Sequence, residues 1–329
     1  MPRPIHIGIL GLGKIARYFI EDLSHLPDAK FYALASRSPQ KARAWQQQYG
    51  ADHAVVGYEA LVALPELDLV YIATPHTAHY DNALLCLEAG ISVLCEKPLG
   101  MSVAEVSTML DAAEQHGVYL MEALWTKFLP HYRAATAALR QGAIGEVHRI
   151  EADFGFAAPF DASGRIYNPT LGGGSLMDVG LYPVFAVLDY WGRPDYISAT
   201  AQRGPTGVDH RMHITLQYQD GRTAELYSAI DEQTPTTATY HSTQGRRMVI
   251  NSRFHEPSSY SIIAASGEMD THRYEVDARG YRYETEAVIA DLNAGRIENA
   301  EMTHDFSLML AEVLQEIREA AGLETVSAV

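Results

Sequence analysis

Gly11-Leu12-Gly13-Lys14-Ile15-Ala16 follows an apolar run, Ile5–Leu10, and precedes a predicted helix. This is the strand–turn–helix context in which G-x-G-x-x-G/A holds a dinucleotide pyrophosphate. Gly11 would permit the tight turn, Gly13 would let the phosphates approach the backbone, and Ala16 would allow close packing of helix on strand. The alternative is a glycine-rich turn that binds no ligand.

The rest of the first ~120 residues alternates strand and helix patterns at the spacing of βαβ units. After 5–10, apolar strands are predicted over 30–35, 67–74, 91–95 and 118–121. Helix starts are predicted at Ser38-Pro39 and at Ser102, where serine is a good N-cap residue. The pattern predicts an α/β domain with a doubly wound parallel sheet of the Rossmann type.

The second half of the chain is rich in β-patterns between residues 145 and 265, and it closes with predicted helices over 283–294 and 305–321. Several strands alternate apolar and polar residues, which predicts a sheet with one face buried and one face free. We therefore predict an α+β domain with a large, open, mainly antiparallel sheet. The predicted domains are 1–123 and 124–329. The free face predicts self-association as a homodimer.

Composition and charge exclude several kinds of partner and indicate the compartment in which the protein works. The formal net charge is −16, from 41 acidic and 25 basic residues, and such a chain is expected to repel nucleic acid and anionic membranes. No run is predicted to reach the length of a transmembrane helix. Only two cysteines, Cys86 and Cys95, are present, which is typical of a reducing compartment, so we predict a cytoplasmic protein.

The end of the second predicted strand bears on which dinucleotide binds. NAD enzymes usually place an acidic residue there to hold the ribose hydroxyls, but this chain has Ala35-Ser36-Arg37-Ser38 and no acid between Asp28 and Asp52. Ser36 can donate to a phosphate, and Arg37 can bind one or stack on adenine. The pattern favours NADP, with NAD as the alternative if Arg37 is a solvated loop residue.

Thr74-Pro75-His76-Thr77-Ala78-His79 follows the third predicted strand. The threonine and the loop backbone are predicted to line the nicotinamide side of the cleft. His76 and His79 also suggest a metal site, but no companion cluster of His, Cys or carboxylate accompanies them, so no metal is predicted.

Glu96-Lys97-Pro98 ends the fourth predicted strand. Ligands of open α/β sheets bind beyond the carboxyl ends of the strands, and a lysine there can bind a substrate oxygen and assist proton transfer. Glu96 can orient Lys97. The alternative is an ordinary surface lysine.

A second polar cluster lies in Gly172-Gly173-Gly174-Ser175-Leu176-Met177-Asp178-Val179-Gly180-Leu181-Tyr182. The triple glycine indicates a loop with close backbone approach. A helix is predicted from about Ser175, which would put Asp178 and Tyr182 on one helix face. A phenol beside a lysine ammonium can exchange a proton, because the positive charge stabilises the phenolate. The alternative is a half-buried tyrosine, one of 19 in the chain.

Together these motifs resemble the Gfo/Idh/MocA oxidoreductases, over nearly the whole chain and across both predicted domains. The resembling residues are Gly11-x-Gly13-x-x-Ala16, Thr74-Pro75-x-x-x-His79, Glu96-Lys97-Pro98 and Gly173-Gly174-x-x-x-Asp178-x-Gly180. Many members carry histidine where this chain has Tyr182. That residue, with 121–128 and Arg165-x-Tyr167-Asn168-Pro169, is similar to the branch of dimeric dihydrodiol dehydrogenases and NADP-linked D-xylose dehydrogenases, although Lys127 stands where the branch often has arginine.

The resemblance implies an NAD(P)-dependent dehydrogenase acting on CH–OH donors. Hydride would pass between the nicotinamide and a hydroxyl-bearing ring carbon of a trans-dihydrodiol or of a sugar, such as D-xylose oxidised to its lactone. Tyr182 and Lys97 would be the acid/base pair, with Asp178 beside them. Trp125, Phe154 and Tyr182 would line the substrate pocket. The cofactor would be held by Gly11, Leu12, Gly13, Ile15, Ala16, Ser36, Arg37, Thr74, His76, His79, Glu96 and Lys97, with Arg37 on the adenosine 2′-phosphate.

The resemblance also supports a dimer formed through the open sheet. Two other functions stay open on the same scaffold. One is a carbonyl or sugar reductase that works toward the alcohol. The other is a non-catalytic NADP-binding sensor, although Lys97, Asp178 and Tyr182 together speak against it.

Overall fold

The computed structural model of the protein describes residues 3–276 and 278–323. Taken over its described residues, the chain groups into two compact units, Met1–Trp125 with Asp277–Leu308 and Thr126–Val276 with Met309–Val329. The single boundary predicted near residue 123 does not describe the return of the chain to the first unit after residue 276. No local pattern marks this return, because it depends on contacts distant in sequence.

The helices and strands follow the predicted alternation closely, with ends that differ by a few residues. Three short segments were not predicted, because each shows too little periodicity. They are the strand His53–Val56, the helix Glu59–Val62 and the edge strand Met269–Arg273. In chain order the elements are β1 (Ile5–Leu10), α1 (Lys14–Leu23), β2 (Ala29–Ser36), α2 (Pro39–Tyr49), β3 (His53–Val56), α3 (Glu59–Val62), β4 (Leu69–Ile72), α4 (His79–Glu88), β5 (Ser92–Glu96), α5 (Val103–His116), β6 (Leu120–Ala123), α6 (Pro130–Arg140), β7 (Val147–Gly155), α7 (Leu181–Trp191), β8 (Tyr196–Arg203), β9 (Asp209–Gln217), β10 (Thr223–Ala229), β11 (Ala238–Ser242), β12 (Arg247–Ile250), β13 (Ser259–Ile263), β14 (Met269–Arg273), α8 (Tyr281–Asn293) and α9 (His304–Ala320).

The first unit contains a parallel sheet in the order β3-β2-β1-β4-β5-β6, which confirms the predicted doubly wound fold. The order reverses between β1 and β4, so their carboxyl ends flank the crevice in which such folds bind ligands. Two predicted helix starts are also confirmed. The Ser38 hydroxyl accepts the Lys41 N–H of α2, and the Ser102 hydroxyl accepts the Glu105 N–H of α5.

The helix α8 is joined to α1 by a buried carboxylate. Asp22, which is 3% exposed, accepts the main-chain N–H groups of Arg279, Gly280 and Arg282 at 3.0, 2.8 and 3.3 Å. These N–H groups belong to the first turn of α8 or precede it and have no partner within the helix. Asp22 therefore caps α8 from a position far away in the sequence, and its charge suits the positive end of the helix dipole.

The second unit contains a sheet in the order β14-β13-β12-β11-β7-β10-β9-β8. Among the described strands of this second sheet, only β7 and β10 pair in parallel. This confirms the predicted mainly antiparallel sheet. The helices α6 and α7 pack on one face. On β7 the residues that face them, such as Ile150 and Ala152, are buried, whereas Arg149 on the other face is exposed. Among the described residues of this unit, α6 and α7 are the helices with the main contacts to the sheet.

The segment before α7 differs from the predicted helix. Leu176–Gly180 forms a π-helical turn, and α7 begins only at Leu181. A π-turn closes hydrogen bonds from residue i to i+5, so it is wider than an α-helical turn, and the shared face of Asp178 and Tyr182 stays a prediction. The π-turn itself was not predicted, and it has contacts distant in the chain: a Cβ at Gly180 would lie 2.8 Å from the Ser228 hydroxyl.

One segment meets the length and apolarity of a membrane span, contrary to the sequence expectation. Pro169–Trp191 has a mean hydropathy of 1.4 in its most apolar window, but 89% of that window is buried inside the fold. A helix that is apolar all round and covered on all sides is the expected appearance of a core helix.

Candidate functional site

The glycine turn after β1 has the geometry predicted for it. Gly11 adopts φ +95°, and a Cβ there would lie 2.6 Å from the carbonyl group of Ala73. Only glycine fits this approach of β1 to the end of β4. A Cβ at Gly13, by contrast, would meet no atom within 4 Å, so the space beside the turn is open.

The open space lies at the N-terminus of α1. Gly13 is the N-cap residue, and neither a side-chain cap nor an acidic residue occupies the first turn. Free N–H groups and the helix dipole make such a terminus favourable for an anion. Ala16 is fully buried and Leu12 is 7% exposed, whereas Ile15 is 36% exposed. The turn therefore fits a dinucleotide pyrophosphate.

At the end of β2, the Ser36 hydroxyl accepts the Ser38 N–H at 3.1 Å, which holds the backbone of this loop. Arg37 is exposed. Within the described part of the chain, no hydrogen bond or ion pair engages its guanidinium group. A fixed loop with an available guanidinium fits a phosphate ligand.

The loop after β4 is tied to the loop after β5 by a buried histidine. His79 is fully buried, and its ring nitrogens lie 2.8 Å from the Pro98 carbonyl oxygen and 3.0 Å from that of Thr74. Asn82 also donates to the Thr74 hydroxyl at 3.2 Å. The His76 ring contacts the His79 ring at 5.8 Å. Both histidines thus shape the carboxyl edge of the sheet, and their contact with a cofactor stays a prediction.

Glu96 ends β5 and Lys97 follows it at this same edge, and both are half-buried. The Tyr71 hydroxyl on β4 donates to the Glu96 carboxylate. Tyr71 is fully buried and stacks on Phe19 at 3.7 Å, and burial raises the pKa of its phenol well above the ordinary value. The phenol is therefore a neutral donor that fixes Glu96 beside Lys97.

Sequence reasoning missed a second acid in this region. Glu122 on β6 is 3% exposed, and its Oε1 accepts the Leu99 N–H at 2.9 Å. Burial raises the pKa of Glu122 to about 7, although Lys97 opposes this shift. The signal in the sequence was a single acid directly after the predicted strand 118–121, which the structure includes in β6.

In the second unit, Tyr182 lies in an aromatic cluster. Its ring is 5.6 Å from the Phe154 ring and 5.3 Å from the His255 ring, and Phe154 stacks on His255 at 4.0 Å. All three residues are at most 9% exposed. The structure brings together two predicted site residues, Phe154 and Tyr182, and adds His255, which lies too far along the chain for a local motif to indicate it.

Asp178 is paired with a residue that the sequence did not assign to it. The Arg165 guanidinium donates to both carboxylate oxygens of Asp178, at 2.9 and 3.3 Å. Beside this pair, the glycine loop lies close to the backbone of the segment that carries Arg165. A Cβ at Gly173 would lie 2.7 Å from the Ile166 carbonyl oxygen. The predicted close backbone approach is thereby confirmed.

Two further predicted residues have structural contacts within their units. In the first unit, Trp125 is 8% exposed and stacks on Tyr281 at 4.5 Å. In the second unit, Lys127 donates to Asp189 at 2.5 Å. Among the described residues, no group of three or more His, Cys, Asp or Glu is arranged to hold a metal ion, and the absence of a metal stays a prediction.

Comparison with known proteins shows which family the chain matches. Residues 5–124 match the family described as "Oxidoreductase family, NAD-binding Rossmann fold", and residues 132–251 match the Gfo/Idh/MocA C-terminal domain. Trans-1,2-dihydrobenzene-1,2-diol dehydrogenase of Xenopus tropicalis is 35% identical over 96% of this chain and 98% of that protein. The mouse protein of the same name is 34% identical over 96% of each chain.

Solved structures show the same fold. The aldose-aldose oxidoreductase from Caulobacter crescentus, complexed with glycerol, superposes with a TM-score of 0.88 at 24% identity, over 97% of this chain and 98% of that chain. The 3-ketoreductase KijD10 from Actinomadura kijaniata, in complex with NADP and TDP-benzene, superposes with a TM-score of 0.88 at the same identity and coverage. At this identity the likeness concerns the fold alone.

Proposed function

Because the chain belongs to the Gfo/Idh/MocA oxidoreductases and is an NAD(P)-dependent dehydrogenase acting on CH–OH donors, we propose that it oxidises a ring carbon bearing a hydroxyl group, with NADP as cofactor. The proposed substrates are a trans-dihydrodiol, or an aldose such as D-xylose that is oxidised to its lactone. The single observation that carries the proposal is the position of Lys97. It follows β5 at the carboxyl edge of the parallel sheet, the same edge at which the Gly11–Gly13 turn follows β1.

The proposed cofactor site lies within residues 1–123, and the proposed substrate and dimerisation region within 124–329. The open space beside Gly13 and the N-terminus of α1 would hold the pyrophosphate. Ser36 and Arg37 would hold the 2′-phosphate, while Thr74, His76, His79 and Glu96 would line the nicotinamide end. NADP in the KijD10 complex supports the same cofactor here.

The proposed chemistry divides between cofactor and side chains. A nicotinamide held by these residues would supply the hydride acceptor for the carbinol carbon. The Lys97 ammonium group would stabilise Tyr182 as its phenolate, and this phenolate would take the hydroxyl proton and become the neutral phenol. Asp178 orients this end of the site through its bidentate pair with Arg165. Trp125 and Phe154 are proposed to exclude water from the ring of the substrate.

A spectrophotometric screen tests the function. Purified protein is mixed with NADP or NAD and a panel of trans-dihydrodiols and aldoses, and reduced nicotinamide is followed by its absorbance. We expect turnover with at least one diol or aldose and a higher kcat/KM with NADP. Turnover only from the carbonyl compounds with NADPH would favour the reductase, and NADP binding without turnover in either direction would favour the sensor.

Arg37→Ala is expected to raise the Kd for NADP about tenfold or more, because a charge-assisted bond to the 2′-phosphate is lost. The Kd for NAD should change less than about twofold, since NAD lacks this phosphate. Fluorescence titration measures both constants. Arg43→Ala, another arginine nearby in the chain, is the control, and an unchanged Kd for NADP in Arg37→Ala would refute the assignment.

The protein is expected to be a homodimer through the open face of the second sheet. Val249 lies on that face, in β12, and is half-buried in the monomer. Val249→Asp should convert the dimer to monomer in sedimentation experiments at micromolar concentration, because a charge would be buried without a partner. Val56→Asp, at a residue 52% exposed in the first unit, should stay dimeric. A monomeric wild-type protein would contradict the proposal.

We also propose a cytoplasmic location, which fractionation of the cells that express the protein tests. It is supported by the two cysteines, since Cys86 and Cys95 are both buried and free. Burial raises the pKa of the Cys86 thiol to about 12, so this thiol stays protonated and unreactive.

A further inference from the structure

A buried carboxyl group lies behind the lysine to which the proposed function assigns proton transfer. Glu122 stands opposite Cys95 in the pairing of β5 with β6, so it lies on the strand beside the one that Lys97 follows. Its Oε1 accepts the N–H of Leu99, two residues after Lys97, at 2.9 Å. Among the described residues, no atom meets the geometry of a hydrogen bond to its Oε2, and the Ser307 hydroxyl is the side-chain donor that acts on this carboxyl group. Buried carboxylate oxygens are rarely left in this state, because desolvation without a partner is costly.

The charges around Glu122 come from few groups. Burial is the main cause that raises the pKa of its carboxyl group to about 7, Glu96 acts in the same direction, and Lys97 acts against both. On β5, Cys95 is kept as a neutral thiol because burial raises its pKa. On the side of α9, Ser307 favours the charged form of the carboxyl, and His304 binds the Leu120 carbonyl oxygen at 3.1 Å.

We propose that Glu122 is a positioning residue for Lys97: it fixes the backbone that follows the lysine and supplies a carboxyl group whose charge follows that of the ammonium. This inference rests on the proposed role of Lys97 in proton transfer. When Lys97 is charged, the carboxylate form of Glu122 is favoured; when Lys97 is neutral, the buried carboxyl group takes up a proton. Interacting groups of this kind titrate as a pair.

A second glutamate provides a matched control. Glu105 accepts the Met101 N–H at 2.7 Å, so it also ties the segment after Lys97 through one main-chain bond. It is half-buried, and it is not among the groups that shift the pKa of Glu122. Glu105→Gln therefore removes the same kind of tie without removing a partner of Lys97.

The first arm of the experiment is the pH profile of kcat for the substrate found in the screen, with NADP. Glu122→Gln keeps an acceptor for Leu99 but cannot carry charge. We expect its profile to move to lower pH by about one unit, because the ammonium of Lys97 loses a stabilising charge. At neutral pH kcat should fall about tenfold, with KM and the Kd for NADP within about twofold. Glu122→Asp should restore the position of the profile, and Glu105→Gln should leave it in place.

The second arm needs no turnover. A carboxyl group whose pKa rises from the ordinary 4.5 to about 7 in the folded state stabilises the fold fully below pH 4.5 and loses this contribution as the pH rises through 7. The wild-type Tm should therefore fall over this range relative to that of Glu122→Gln. The Tm of Glu122→Gln minus that of the wild-type protein should therefore increase between about pH 5 and 8. Glu105→Gln should not show this increase.

The two arms separate the possible failures. If wild-type protein turns over a diol or aldose but Glu122→Gln has the wild-type pH profile, the inference is overturned and the proposed function stands. A profile moved equally by Glu105→Gln would also overturn it, because the tie alone would then explain the effect. If the wild-type protein turns over no substrate, the proposed function fails, and a Tm difference independent of pH would remove the inference as well.

Discussion

Lys97→Met is expected to lower kcat by about 100-fold or more, while the Kd for NADP should change by less than about twofold. Methionine approximates the length and apolar stem of lysine but has no charge. The loss of the ammonium group removes the stabilisation of the phenolate form of the proposed proton acceptor, Tyr182. Lys97 stands at the end of β5 beside Glu96, which Tyr71 holds in place, so the backbone there should keep its position. Steady-state kinetics in the diol and aldose assay, with fluorescence titration of NADP, measures both quantities.

The control for this variant is Lys30→Met. Lys30 forms an ion pair with Asp52 at the surface of the first unit, and its loss should leave kcat unchanged within about twofold, as for most surface pairs. Turnover of Lys97→Met close to that of Lys30→Met would refute the proposed role of Lys97. A loss of NADP binding in Lys97→Met would instead assign the lysine to cofactor binding.

Tyr182→Phe also lowers kcat by about 100-fold or more, because the variant has no hydroxyl group to accept or return a proton. The ring contacts of Tyr182 with Phe154 and His255, at 5.6 and 5.3 Å, are available to phenylalanine as well. The fold should therefore be retained. KM should change less than kcat, since the lost interaction acts mainly in the transition state.

Tyr190→Phe is the matched control, because Tyr190 lies on the same helix, α7, and packs against Tyr240 at 5.5 Å. We expect wild-type turnover from it, and circular dichroism and Tm should not distinguish the two variants from wild type. Wild-type turnover in Tyr182→Phe would mean that another group moves the proton. In that case the proposed acid/base pair is wrong, although hydride transfer itself is not excluded.

The first sheet could be predicted from sequence because its determinants are local. The apolar runs identify the strands, serine caps begin α2 and α5, and a single turn requires glycine. Gly11 shows this directly: the motif predicted a tight turn, and the residue adopts φ +95° against the end of β4. Parallel strands of this kind meet at one edge, so the placement of Lys97 at the carboxyl edge followed from the order of the elements.

The rest of the site depends on contacts between residues distant in the chain. Asp178 pairs with Arg165 across a glycine loop, and no spacing rule connects two such residues. The π-turn at Leu176–Gly180 could not be predicted, since periodicity assumes a regular helix. Glu122 was visible only as a lone acid beside an apolar strand, and its partner Leu99 lies in the loop between β5 and α5.

The cap that Asp22 provides for α8 affects how the molecule is made. Its main-chain partner at Arg279 lies 257 residues later in the chain, so during synthesis on the ribosome nearly the whole polypeptide emerges before this contact can form. Until then the Asp22 carboxylate lacks these three donors, and the first unit lacks α8. The part of the protein that is translated first is thus among the last to be completed.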